Sequence, residues 1–148
     1  MRILAVDPGT KWIGLAISDP SGTVAHGLDT LAAEPAGTLG ARLGGVARQH
    51  EATRVVVGLP RRLDGSYGPE AAAARRLAEQ IREESGLPVE LVDERMTTAQ
   101  AQRALIAGGV SRAERRLTVD RVAATLLLQG HLDRRKARAV RAVRKGVD

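Results

Sequence analysis

A chain of 148 residues with no cysteine and a formal net charge of +6 has the length of one domain and can build a core without covalent staples. It excludes a disulfide framework, a thiolate metal site and a cysteine nucleophile, as a reducing compartment would favour. With Trp12 and Tyr67 as its only aromatic residues, it also lacks the stacking platforms that read single-stranded bases.

Arg2 to Asp7 (RILAVD) reads as a buried strand, ended by Pro8-Gly9-Thr10, where Pro8 has no N–H to continue a ladder. Residues 13–18 (IGLAIS) read as its hairpin partner, Asp19-Pro20-Ser21-Gly22 as a turn, and residues 23–31 as a third strand. A helix over 36–49 is weakened by Gly37, Gly40, Gly44 and Gly45. Residues 54–58 (RVVVG) have the β-branched, unbroken apolar character of a strand inside a parallel sheet. Gly68-Pro69-Glu70 opens a helix whose buried stripe is Ala74, Leu77, Ala78 and Ile81, and Gly86 and Pro88 end it. Residues 88–93 (PVELVD) form the next strand. Thr97 with Gln100 makes a capping box for a short helix ending at Gly108-Gly109. A last helix starts near Thr118, with Val119, Val122, Ala123 and Leu126 on one face. The order β-β-β-α-β-α-β-α-α predicts an α/β fold: a mixed five-stranded sheet with an antiparallel edge and helices on both faces.

The charge is uneven. Residues 131–148 hold seven Lys and Arg against two acids, while the preceding 130 hold sixteen against fifteen. The expected organisation is a domain over 1–133 followed by a basic tail over 134–148, whose partner is a polyanion such as nucleic acid. A solvated helix end would have the same composition. Neither the opening MRILAVDPGT nor any later stretch approaches the roughly 18 apolar residues of a membrane span, so the reading is a soluble, cytoplasmic protein with no membrane partner.

Three carboxylates stand where chemistry is commonly placed. Asp7 and Glu94 each lie at the carboxyl end of an expected strand, where ligand sites of α/β sheets gather, and Asp120 lies at the expected start of the last helix. Meeting at one edge, they would need a cation, and oxygen ligands suit Mg²⁺ or Mn²⁺. Each also has a structural role available: Asp7 capping its turn, Glu94 pairing with Arg95, Asp120 stabilising a helix end. Lys11, Arg61, Arg62, Arg95 and Arg116 are the candidate phosphate contacts, most of them just after strand ends, as metal-assisted phosphodiester chemistry would require. A P-loop, G-x-S-x-G and H-E-x-x-H are all absent. His26, His50 and His131 read as surface residues, Asp29 and Asp133 show no partner, and Asp93 is expected to face away from Glu94 and fix a backbone group or an arginine.

Four ordered blocks, VDPGTKWIGLAISD (6–19), VVVGLPRRLDGS (55–66), VDERMTTAQAQ (92–102) and TVDRVAATLLLQGHLD (118–133), resemble the YqgF/RuvX family. The resemblance implies an RNase H-like fold related to the RuvC Holliday junction resolvases, and a nuclease maturing the 5′ end of pre-16S rRNA. It puts the family's three acids on Asp7, Glu94 and Asp120. Phosphodiester hydrolysis by water is then expected, with Asp7 shared between two divalent ions and Glu94 and Asp120 each completing one side. The chain departs from the family at Trp12, where a basic residue is usual, and at Arg62, where Asn is common. Leu117 stands where RuvC-type resolvases add a fourth metal residue. The alternative is a resolvase acting on branched DNA, which would work as a homodimer with one site per strand. A non-catalytic factor binding ribosomal RNA through its basic tail is a third reading.

Overall fold

The computed structural model describes residues 1–62, 64–93 and 112–146, with the backbone alone for 112–120. The elements are β1 (Arg2–Asp7), β2 (Trp12–Ser18), β3 (Ala25–Ala32), a 3₁₀ turn (Ala36–Thr38), α1 (Leu39–Gln49), β4 (Ala52–Leu59), α2 (Pro69–Ser85), β5 (Val89–Asp93) and α3 (Arg112–Arg144). The strands form one sheet in the order β3-β2-β1-β4-β5. β1–β2 and β2–β3 pair antiparallel, β1–β4 and β4–β5 parallel. This is the mixed five-stranded sheet expected from the sequence, with helices on both faces. The short helix expected after Thr97 falls outside the described residues.

Alternation along β1 divides the core in two. Leu4 and Val6 join Leu15, Val55 and Val57 under α1 and α2, against Leu43, Ala74, Leu77 and Ile81. Ile3 and Ala5 join Ala16, Val56 and Val92 on the opposite face, against Ala124, Leu127, Leu128 and Leu132 of α3. Strands buried on both sides need apolar residues at every position, which is why β1 and β4 read as unbroken apolar runs.

Three expectations shift. β3 starts at Ala25 because the Asp19 carboxylate accepts the N–H groups of Thr23 (2.8 Å) and Val24 (2.9 Å), drawing both into the turn. The last helix starts at Arg112, six residues before Thr118, since Arg, Ala, Glu and Leu are good helix formers and a β-branched residue is a poor first one. Its buried stripe is accordingly Ala123, Ala124, Leu127, Leu128 and Leu132, while Leu126 is exposed. The helix also continues through the basic segment to Arg144, so the tail is helical as far as that residue.

Candidate active site at the carboxyl end of the sheet

Asp7 ends the central strand and is only 6% exposed. It shares the parity of Ile3 and Ala5, so the pleat turns it toward the α3 side of the sheet. Registers Val6↔Val57, Gly58↔Val92 and Leu59↔Asp93 bring the carboxyl ends of β1, β4 and β5 level with one another. At about 4.8 Å per strand spacing, β5 ends about 10 Å across the sheet from β1. Glu94 follows Asp93 directly; Glu94 and Arg95 lie outside the described residues.

Two polar clamps set the register of α3 over this edge. In its first third, Arg121 Nε donates to Leu28 O (3.0 Å) and the guanidinium pairs with Asp29. Two turns later, Gln129 accepts from Ala25 N (2.9 Å) and donates to Thr23 O (2.9 Å) and to Asp133 (3.0 Å). Asp29 and Asp133, without visible partners in the sequence, belong to these clamps. α3 approaches β3 so closely that a Cβ on Gly27 would stand 2.7 Å from Arg121 Cγ and 3.0 Å from Thr125 Oγ1. Asp120 precedes Arg121 and stands four residues before the fully buried Ala124. It lies well inside α3, so the helix-start role considered for it does not apply. The backbone of Arg116 lies one turn earlier; the side chains of both are outside the described residues.

The remaining candidate cations occupy two loops. Lys11 is exposed in the β1–β2 turn, and its carbonyl accepts from Ala33 N (2.8 Å), one residue beyond the β2–β3 pairing. After β4, Arg61 reaches Asp93 (3.2 Å) and donates through Nε to Gly65 O (2.7 Å). Asp93 therefore holds an arginine, as expected of it. Both Arg61 and Arg75 stack over Tyr67 at 5.2 Å from the ring centre. Asp64 accepts from Ser66 N (2.9 Å) and Oγ (2.6 Å), which lowers the pKa of its carboxyl and tightens the loop. Arg62 is exposed beside it. Sequence reading missed Arg75, Tyr67, Arg121 and Gln129. Arg121 and Gln129, the polar residues at positions 121 and 129 of a helix otherwise facing the sheet with Ala and Leu, carried a signal. Arg75 carried none.

A carboxylate as buried as Asp7 is held in ionised form only by donors or a cation, and its oxygen donors match the preference of hard divalent ions. Among the described residues, which include neither Glu94 nor the Asp120 side chain, no three His, Asp or Glu groups stand close enough to share an ion. The chemistry of a carboxylate donor fits Mg²⁺ or Mn²⁺, and Asp7 is the candidate ligand whose side chain the structure describes. Of the histidines, His26 is exposed and His50 half-buried, but His131, on α3, is buried, a correction to its reading as a surface residue.

A protein of Moorella thermoacetica named "Putative pre-16S rRNA nuclease" is 47% identical over 134 residues, 90% of this chain and 96% of its own. A Bacillus cereus protein of the same name is 43% identical over 137 residues, 91% of this chain and 100% of its own. The structure of T. thermophilus RuvC in complex with a Holliday junction substrate superposes with a TM-score of 0.58 at 21% identity, over 93% of this chain and 96% of that one. That likeness establishes the RNase H-like fold. The RuvX model, described as Holliday junction resolvase, matches residues 1–134, and the chain belongs to the RuvX family.

Proposed function

We infer that this protein is a metal-dependent nuclease that hydrolyses phosphodiester bonds in structured nucleic acid, in the 5′-end maturation of pre-16S rRNA. The observation that carries the substrate is the 47% identity, over 90% of the chain, to a relative named for that RNA. Supporting the chemistry is a buried carboxylate, Asp7, at the carboxyl end of the central strand. A ribosomal RNA precursor places the work in the cytoplasm.

Asp7, Glu94 and Asp120 would hold Mg²⁺ or Mn²⁺, which when bound lowers the pKa of water and neutralises charge on a departing oxygen. The residues of the chain do the rest. Arg61, set by Asp93 and Tyr67, offers its remaining donors to phosphate without first losing side-chain freedom. Arg62 follows it in the same loop as an exposed cation, and Lys11 in the β1–β2 turn, Arg95 and Arg116 complete the set. Burial of Asp7, with Val56 and Val92 on the same face of the sheet, keeps bulk water from the floor of the site.

The test is cleavage of a pre-16S rRNA 5′ fragment by the full chain with Mg²⁺ or Mn²⁺, beside the Asp7→Asn variant. Cleavage is expected from the wild type and lost in the variant, while RNA binding survives; full activity of Asp7→Asn contradicts the proposal. The family description favours a second reading, a resolvase of branched DNA acting as a homodimer. Four-way junctions in the same assay separate the two, since preferential, symmetrical junction cutting by a dimer would replace the RNA reading.

A further inference from the structure

Along β5, from Glu90 to Asp93 at its carboxyl end, a cavity of about 360 Å³ opens toward α3, lined by Glu90, Asp93, His131, Arg134 and Arg138 among others. His131 is 4% exposed, and its Nε2 has no hydrogen-bond partner; Glu90 Oε2 stands 3.9 Å from it. A buried polar atom left unpaired carries a desolvation penalty, which a group brought into the cavity to pair with it would relieve. Spacings of three and four residues place His131, Arg134 and Arg138 along one side of the helix.

The charges around the cavity sort into two groups. Both carboxylates already have cations: Asp93 has Arg61 at 3.2 Å, and Glu90 has Arg54 at 4.0 Å. Arg134 and Arg138 are exposed and make no ion pair among the described residues. The unmatched charge is therefore positive, at the mouth of a recess whose wall holds an unpaired imidazole nitrogen. Two arginines and a ring nitrogen converging in this way fit a tetrahedral oxyanion, since guanidinium donors match phosphate oxygens.

We propose that this cavity is a second phosphate site, in which His131, Arg134 and Arg138 hold a backbone phosphate of the nucleic acid at a distance from the scissile bond. The proposal rests on the nuclease reading for the identity of its ligand, and it gives the helical basic segment a defined docking point rather than diffuse attraction. Burial and the nearby Arg134, Arg135 and Arg138 lower the pKa of His131, against the opposing pull of Glu90. An arriving phosphate adds negative charge beside the ring, so the imidazole takes up a proton on binding.

The experiment uses the full chain in EDTA, where a stem-loop RNA binds without being cut. Arg134→Gln/Arg138→Gln is compared with Lys136→Gln/Arg141→Gln, which removes the same charge from the same helix outside the cavity. The cavity pair is expected to weaken binding about tenfold more than the control pair and to lower the salt slope by about one, the change for one lost phosphate contact. Glu90→Gln, which removes a repelling carboxylate, is expected to tighten binding. The His131 ring resonances should shift on adding RNA, with an upward move in its titration. Equal losses in the two double variants, or an unmoved His131, overturn the proposal, as does a ring that responds to inorganic phosphate but not to RNA. Cleavage with Mn²⁺ is scored separately. Binding at the cavity without cleavage contradicts the nuclease reading and leaves the cavity; cleavage with an indifferent cavity does the reverse.

Discussion

The two faces of the sheet are built differently. Under α1 and α2 the sheet is covered by large aliphatic side chains, among them Leu4, Leu15, Leu43, Val55, Leu77 and Ile81, and the buried members of that cluster are all hydrophobic. Under α3 the sheet side contributes Ala5 and Ala16 beside Ile3, Val56 and Val92. The buried polar residues Asp7, Ser18 and His131 add to the contrast, with Arg121 and Gln129 tying the helix to named backbone atoms of β3 and the turn before it. Apolar burial is non-directional, so the first face supplies stability without demanding a register. Hydrogen bonds are directional, so the second face fixes where α3 sits, and with it the position of Asp120 relative to Asp7. One face holds the domain together and the other aims its chemistry.

Substitutions on each face can break that contrast. Leu43→Ala on the α1 side should lower stability by about 2–5 kcal/mol through lost burial and a cavity, read by denaturant unfolding, with turnover per folded molecule unchanged. Gly27→Ala, whose new methyl meets Arg121 Cγ at 2.7 Å, should cost about 1–3 kcal/mol by overpacking. Unlike Leu43→Ala it should also reduce kcat, because α3 is pushed along its own axis or away from β3. Gln129→Ala should alter stability less than Leu43→Ala yet reduce kcat by up to about 10²-fold, the range for an ångström-scale misplacement. If Gln129→Ala and Leu43→Ala depress kcat alike, the division of labour between the faces is wrong.

How much of this was legible depended on the kind of signal. β1, β4 and α2 were readable because their patterns are dictated by burial on two sides or by a helical stripe closed by Pro69 and Gly86, the latter at φ +70°. Gly40 was misleading as a helix weakener: a Cβ there would stand 2.8 Å from Gln80 Cβ, so its absence lets α1 and α2 pack closely. Where α3 begins was hidden because the charged run before Thr118 carries no apolar period, although it forms helix readily. Asp7 could be singled out by its place between a strand and a Pro-Gly turn. Arg121 and Gln129 stood out only as polar residues on the last helix; their partners could not be read, since Arg121–Asp29 and Gln129–Ala25 join residues about a hundred positions apart, and a single sequence carries no trace of such pairing.

The smallest expected effects are in pH. The Ser21 hydroxyl, with the Val24 and Thr23 N–H groups, holds the Asp19 carboxyl well below its ordinary value, so its contribution is present above about pH 3.8 and is lost as pH falls through the depressed folded value. Asp19→Ala should flatten that acid limb in a melting-temperature series. His131 has the opposite charge type: burial keeps it neutral in the fold, while the unfolded ring protonates near pH 6.5. The unfolded state then binds more protons, and stability falls as pH drops below that value. A series between pH 7.5 and 5.5 in phosphate-free buffer should show this decline, and a His131→Gln variant should lack it.

The central claim is that Asp7, Glu94 and Asp120 serve a single metal centre. Mn²⁺ affinity of the full chain, measured by calorimetry for the wild type and for Asp7→Asn, Glu94→Gln and Asp120→Asn separately, tests it most directly. The account predicts that each substitution alone weakens Mn²⁺ binding and abolishes cleavage while the melting temperature without metal stays within a few degrees. Wild-type Mn²⁺ affinity and cleavage in either Glu94→Gln or Asp120→Asn would contradict it.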